Sequence, residues 1–103
     1  MSKETPRHGH APIKMRLASD YFDDVNARGD FYINPEGTRF CAAIPSPMGR
    51  GWAYIQIPIG REKPAQSPSW QWDGNRERPT LSPSIHTHGH WHGWVRNGEM
   101  VEA

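Results

Sequence analysis

Four of the six histidines fall within seven residues, His86-Thr87-His88-Gly89-His90-Trp91-His92. In an extended strand, residues i and i+2 share a face about 6.5–7 Å apart, so His-x-His aims two imidazoles at one ion. Zn2+ takes imidazole nitrogen at about 2.0–2.1 Å. Four histidines in one continuous strand span too far for a single tetrahedral site. Gly89 therefore reads as a bend or bulge that divides His86/His88 from His90/His92. The two halves, approaching one another, can supply three ligands, and Cys41 is the candidate fourth. The predicted metal residues are thus His88, His90, His92, Cys41 and His86, with Zn2+ as the expected cofactor. The competing reading is that the imidazoles hydrogen-bond, stack on Trp91 and Trp94, or face water. No Glu follows His-x-His at the cupin spacing, and no His-Glu-x-x-His occurs.

Other chemistry is thinner. Ser67, Ser69, Ser82 and Ser84 lie in Pro-flanked segments, where serine is a turn former. Neither Gly-x-Ser-x-Gly nor a P-loop is present, and no catalytic residue is assigned. A metal-dependent hydrolase is the alternative. It would use His88, His90 and His92 as ligands, leave a fourth position open for water, and take Asp73 or Glu99 as general base. Trp72 with Arg76 would suit stacking on single-stranded nucleic acid, if both are exposed.

These residues need strands to hold them. Trp52–Ile59 alternates, with Ala53, Ile55, Ile57 and Ile59 predicted to face the core. Phe40–Ile44 and Ser69–Trp72 are shorter strands, the second ending in a hairpin signal at Asp73-Gly74. Pro79–Thr87 is extended, with Pro83 marking an edge or bulge. Asn97-Gly98 favours a type I′ turn that pairs Arg96 with Glu99, Val95 with Met100 and Trp94 with Val101. Ser19, followed by Asp20, Asp23 and Asp24, suits the start of a short helix ended by Gly29. The expected fold is mainly β, a small antiparallel sheet or partly open barrel with a Trp-rich core and room for one short helix near residues 20–28. Residues 1–12 read as a flexible arm, and 13–103 as a single β-rich domain.

Composition limits what such a domain can be. Leu, Ile, Val and Phe make up 15 of 103 residues, yet net charge is only +1, and five Trp supply the missing apolar area. A buried aromatic removes about 150–250 Å² from water, so the tryptophans are needed inside. Near-neutral charge disfavours general nucleic-acid binding. No apolar run approaches the ~20 residues of a membrane helix, and no signal peptide is visible. One cysteine excludes an internal disulfide, and a cytoplasmic setting is expected. An exposed edge strand offers a route to a homodimer.

The block Ser69-Trp70-Gln71-Trp72-Asp73-Gly74-Asn75, Arg78-Pro79-Thr80-Leu81-Ser82-Pro83-Ser84-Ile85, Trp91-His92-Gly93-Trp94 and Asn97-Gly98-Glu99 resembles small phage and prophage proteins that carry a domain of unknown function. Some of these are described as ammonia monooxygenase. The resemblance covers roughly residues 50–100. It implies a zinc site, with Cys41 matching an upstream Cys-rich segment and His90 and His92 matching the Trp-His-Gly segment. At Cys41-Ala42-Ala43 the second upstream Cys is missing. The expected function is a phage-type accessory protein that binds a protein partner, with a structural zinc site at His86–His92.

Overall fold

The computed structural model describes residues 12–20, 24–45, 51–62, 65, 68–87 and 91–103. Among the described residues, ten strands form two sheets. The smaller is antiparallel, in the order β1 (Ile13–Lys14), β10 (Glu99–Glu102), β9 (His92–Arg96), β8 (Ile85–His86). The larger is a curled, open half-barrel. It runs β2 (Arg16–Leu17), β3 (Asp30–Ile33), β4 (Arg39–Pro45), β5 (Trp52–Gly60), β6 (Trp70–Trp72), β7 (Leu81–Ser82). Two of its pairs, β2–β3 and β5–β6, are parallel, which refines the antiparallel expectation.

The chain passes between the sheets twice. At the first passage, the Met15 N–H donates to Gly98 O at 2.9 Å in the small sheet, and the Arg16 N–H donates to Gly29 O at 3.1 Å in the large one. At the second, Pro83 separates β7 from β8, and the Ser82–Pro83 peptide is cis. Proline has no N–H to continue a ladder, so the strand ends there. Pro79–Thr87 is thus two short strands serving different sheets.

The main core lies between these sheets. Phe40, Ala42 and Ile44 of β4 and Ile57 and Ile59 of β5 enter it together with Trp70, Trp72, Leu81, Ile85, Trp91, Val95 and Met100. Ala53 and Ile55 pack against it partly buried, so the expected inward face of β5 is the observed one. The expected Trp-rich core is also observed in Trp70, Trp72 and Trp91, all buried. The final hairpin has the expected register, Arg96 opposite Glu99, Val95 opposite Met100 and Trp94 opposite Val101. Its turn residues Asn97 and Gly98 have φ of 49° and 79°, the positive values a type I′ turn requires.

Two local expectations are corrected. Asp73-Gly74 is not a two-residue hairpin. The Asp73 carboxylate accepts the N–H groups of Asn75 and Thr80 at 3.0 and 3.2 Å, holding residues 73–80 as a wide loop between β6 and β7. The short helix does not extend to residue 28. Residues 21–23 and the arm up to residue 11 lie outside the described residues, and Val25–Arg28 is not helical. Two acidic side chains anchor this segment instead. The Arg16 guanidinium donates to Asp30 Oδ1 and Oδ2 at 3.0 and 2.9 Å and to Asp24 Oδ1 at 3.0 Å. Asp30 Oδ2 also accepts from the Asn26 and Ala27 N–H groups, both at 3.1 Å. The Arg16 hydrogen bonds hold Asp24 down at about 2 and lower Asp30 below its ordinary value.

Candidate active site

Ser84 directly precedes β8, and His92 opens β9. The register pairs His86 with His92 and Ile85 with Gly93. Alternation sends Ile85 inward, where it is 1% exposed, and leaves His86 and His92 exposed on the outer face. On that face Ser84 Oγ lies 3.1 Å from His92 Nε2. With the imidazole proton on Nδ1, the hydroxyl donates to Nε2, the orientation that activates a serine.

The elements around this pair fix it. The Trp70 indole N–H donates to the Ser84 carbonyl at 3.2 Å, tying the serine backbone to the buried core of the large sheet. Behind His92, the Thr87 N–H donates to Trp91 O at 2.8 Å, and Thr87 Oγ1 also donates to that oxygen at 3.0 Å. The Trp91 N–H in turn donates to Thr87 Oγ1 at 2.9 Å, closing the connection between β8 and β9. Trp91 packs over Gly93, where an added Cβ would clash with the edge of its ring. The His92 ring stacks on His86 with centroids 4.8 Å apart and planes at 28°, and Trp94 lies 5.9 Å from it. Beyond Trp94, the Arg96 guanidinium sits over the indole at 4.6 Å.

The metal candidates are spread differently. His86 and His92 meet, but as stacked rings, a packing that turns their faces rather than their lone pairs toward one another. Cys41 alternates with the core residues Phe40 and Ala42, so it lies on the other face of β4. It is buried there, and Sγ accepts from Gln56 Nε2 at 3.5 Å. Burial pushes its thiol up, away from the thiolate that binds zinc. His88 and His90 lie outside the described residues. Among the described residues no three His, Cys, Asp or Glu side chains gather as a metal group. The two candidate bases are also elsewhere. Asp73 holds its own loop, and Glu99 stands beside the turn at the far end of the hairpin from His92.

The nucleic-acid reading fails on burial. Trp72 is 5% exposed, and its indole N–H donates to Asn75 O. Arg76 lies 5.4 Å from the Trp72 ring and donates to the carbonyls of Ile33, Asn34 and Pro35.

Ser84 is the residue that sequence reasoning passed over. Flanked by Pro83 and remote from any Gly-x-Ser-x-Gly, it has the look of a turn former. Its partner becomes visible only when β8 and β9 pair across residues 87–91, a connection whose register no turn motif announces.

A model of the family described as bacterial ubiquitination-like system serine protease (BubE) matches residues 18–103. The chain belongs to that family. No curated protein and no solved structure matches it. The BubE match begins after β2 and spans Trp70, Ser84, His86 and His92. It names a bacterial system and speaks to neither a phage nor an oxygenase. Among the described residues no helix is long and apolar enough to cross a membrane.

Proposed function

We propose that this chain is a serine protease of a bacterial ubiquitination-like system, with Ser84 as nucleophile and His92 as general base. The observation that carries the reading is the 3.1 Å approach of Ser84 Oγ to His92 Nε2. The description of the BubE family supports it independently. Ser84 Oγ attacks the scissile carbonyl carbon while its proton passes to Nε2. The tetrahedral intermediate collapses, His92 gives that proton to the departing amine, and the acyl group stays on Ser84 as an ester. Water, losing a proton to His92, then attacks the ester carbonyl. The acid product leaves, and the proton returns to Ser84 Oγ.

The neighbouring groups restrain this pair rather than react. Stacking on His86 and contact with Trp94 limit rotation of the His92 ring, and the Trp70 hydrogen bond fixes the Ser84 backbone. Orientation of this kind is what converts a weak alcohol into a nucleophile. A ubiquitination-like system has several protein components, so the partners of this chain are proteins, as its substrate would be. Hydrolysis of an internally quenched peptide library tests the reading. Removing nucleophile or base in a serine protease lowers turnover by roughly 10^4–10^6-fold. Ser84→Ala and His92→Ala should each abolish cleavage, whereas equal cleavage by the parent and Ser84→Ala would sink the proposal.

A further inference from the structure

Resting on the protease reading, the geometry points to a preference for acidic residues on the acyl side of the scissile bond, read by Arg96 across the face of Trp94. The direction follows from the proton path. His92 must protonate the departing nitrogen, so the leaving group lies on the His92 side of Ser84, and the acyl chain leaves on the opposite side. Continuing the pairing of Ile85 with Gly93 by one residue brings Ser84 level with Trp94. Arg96 is two residues farther along β9, away from His92 and on the same outer face. Two residues of strand span about 6.6 Å, which an extended peptide also covers in about two residues. The second and third residues before the scissile bond therefore pass Arg96.

The state of Arg96 suits that task. Its cross-strand neighbour is Glu99, yet the guanidinium lies over Trp94 at 4.6 Å. Among the described residues no salt bridge to Arg96 is present. The result is a cation on an aromatic platform beside the nucleophile, with donors free to meet a carboxylate. Trp94 is half-buried and offers an apolar surface to the intervening substrate backbone.

Peptidyl phosphonates test this directly. Ser84 Oγ would attack phosphorus, forming the O–P bond and expelling phenoxide. Two probes are compared, carrying Glu or Lys at both the second and third positions. Exposed charge pairs are individually weak, so the parent should react roughly three- to tenfold faster with the Glu probe at low salt. That ratio should fall toward one in Arg96→Gln and invert in Arg96→Glu. It should also shrink in 0.5 M salt. Equal rates with the two probes in the parent, while a simple alkyl fluorophosphonate still labels Ser84, would overturn this inference alone. No labelling of Ser84 by the alkyl probe would overturn the protease reading and this inference with it.

Discussion

Gly93→Ala should be among the most damaging single-methyl additions to this protein, although the backbone there is ordinary. The φ of Gly93 lies outside the left-handed region, so alanine fits it without torsional strain. In open space such a change would stabilise by about 0.4–1 kcal/mol, because alanine restricts the unfolded chain. Gly93 is not in open space. An added Cβ would meet Trp91 Cζ2, lie 2.6 Å from Trp91 Cη2 and 2.5 Å from Val101 O. The backbone oxygen belongs to β10 and cannot retreat without opening the β9–β10 ladder. The indole is 4% exposed and cannot retreat without leaving the core. Overpacking costs about 1–3 kcal/mol, and loss of a buried Trp about 3–5 kcal/mol. After the unfolded-state gain, a net loss of roughly 2–4 kcal/mol follows. For a domain of this size that lowers Tm by about 10–30 °C. Gly51→Ala is the control. Gly51 has φ +75° and nothing within 4 Å of its added Cβ, so the left-handed penalty of about 1–2 kcal/mol applies there, offset in part by the same unfolded-state gain. Urea and thermal unfolding measure both. If Gly93→Ala unfolds within about 0.5 kcal/mol of the parent, the packing of Trp91 on Gly93 is wrong, and with it the support behind His92.

Trp70→Phe keeps most of the apolar ring but deletes the N–H that holds the Ser84 carbonyl. A hydrogen bond worth about 0.5–1.5 kcal/mol and some ring volume are lost, so stability should drop by roughly 2 kcal/mol. Ser84 reactivity toward a fluorophosphonate should fall several-fold at a temperature where the variant is fully folded, and a parental rate there would refute the positioning role. Asp30→Asn tests the Arg16 network through its pH dependence. Asp24 and Asp30 have lowered values in the fold, so between about pH 4 and 2 the unfolded chain binds more protons than the native one. Their stabilisation is therefore complete above about pH 4 and is lost as pH falls through the folded values. The Tm gap between parent and Asp30→Asn should be widest at neutral pH and narrow as pH falls below about 4, and a gap that stays constant through that fall would contradict the assignment.

Much of the scaffold was legible in local patterns. Asn97-Gly98 dictates a turn type, and the turn type dictates the pairs Arg96–Glu99 and Val95–Met100. Period-two alternation gave the core face of Trp52–Ile59, and scarce aliphatics put the tryptophans inside. What escaped was non-local. Nothing near Pro83 in sequence says that β7 and β8 belong to different sheets, although that passage presents Ser84 to His92. Asp73-Gly74 looks like a hairpin turn until Thr80 is seen to return to the Asp73 carboxylate. In the histidine row, spacing suggests shared faces. Spacing does not reveal that His86 and His92 stack, or that Cys41 faces the far side of β4. The Trp, Pro and Gly residues of the C-terminal block are signals for positioning: Trp70 holds the serine, Pro83 ends β7 just before it, and Gly93 admits Trp91.

The proposed nucleophile is Ser84, made reactive by His92. Intact-mass and peptide mass spectrometry after treatment with an alkyl fluorophosphonate test it most directly. Oγ attack on phosphorus with loss of fluoride should place a single adduct on Ser84. The adduct should be absent in Ser84→Ala and formed far more slowly in His92→Ala. An unmodified parent, an adduct on another serine, or undiminished labelling in His92→Ala would contradict the account.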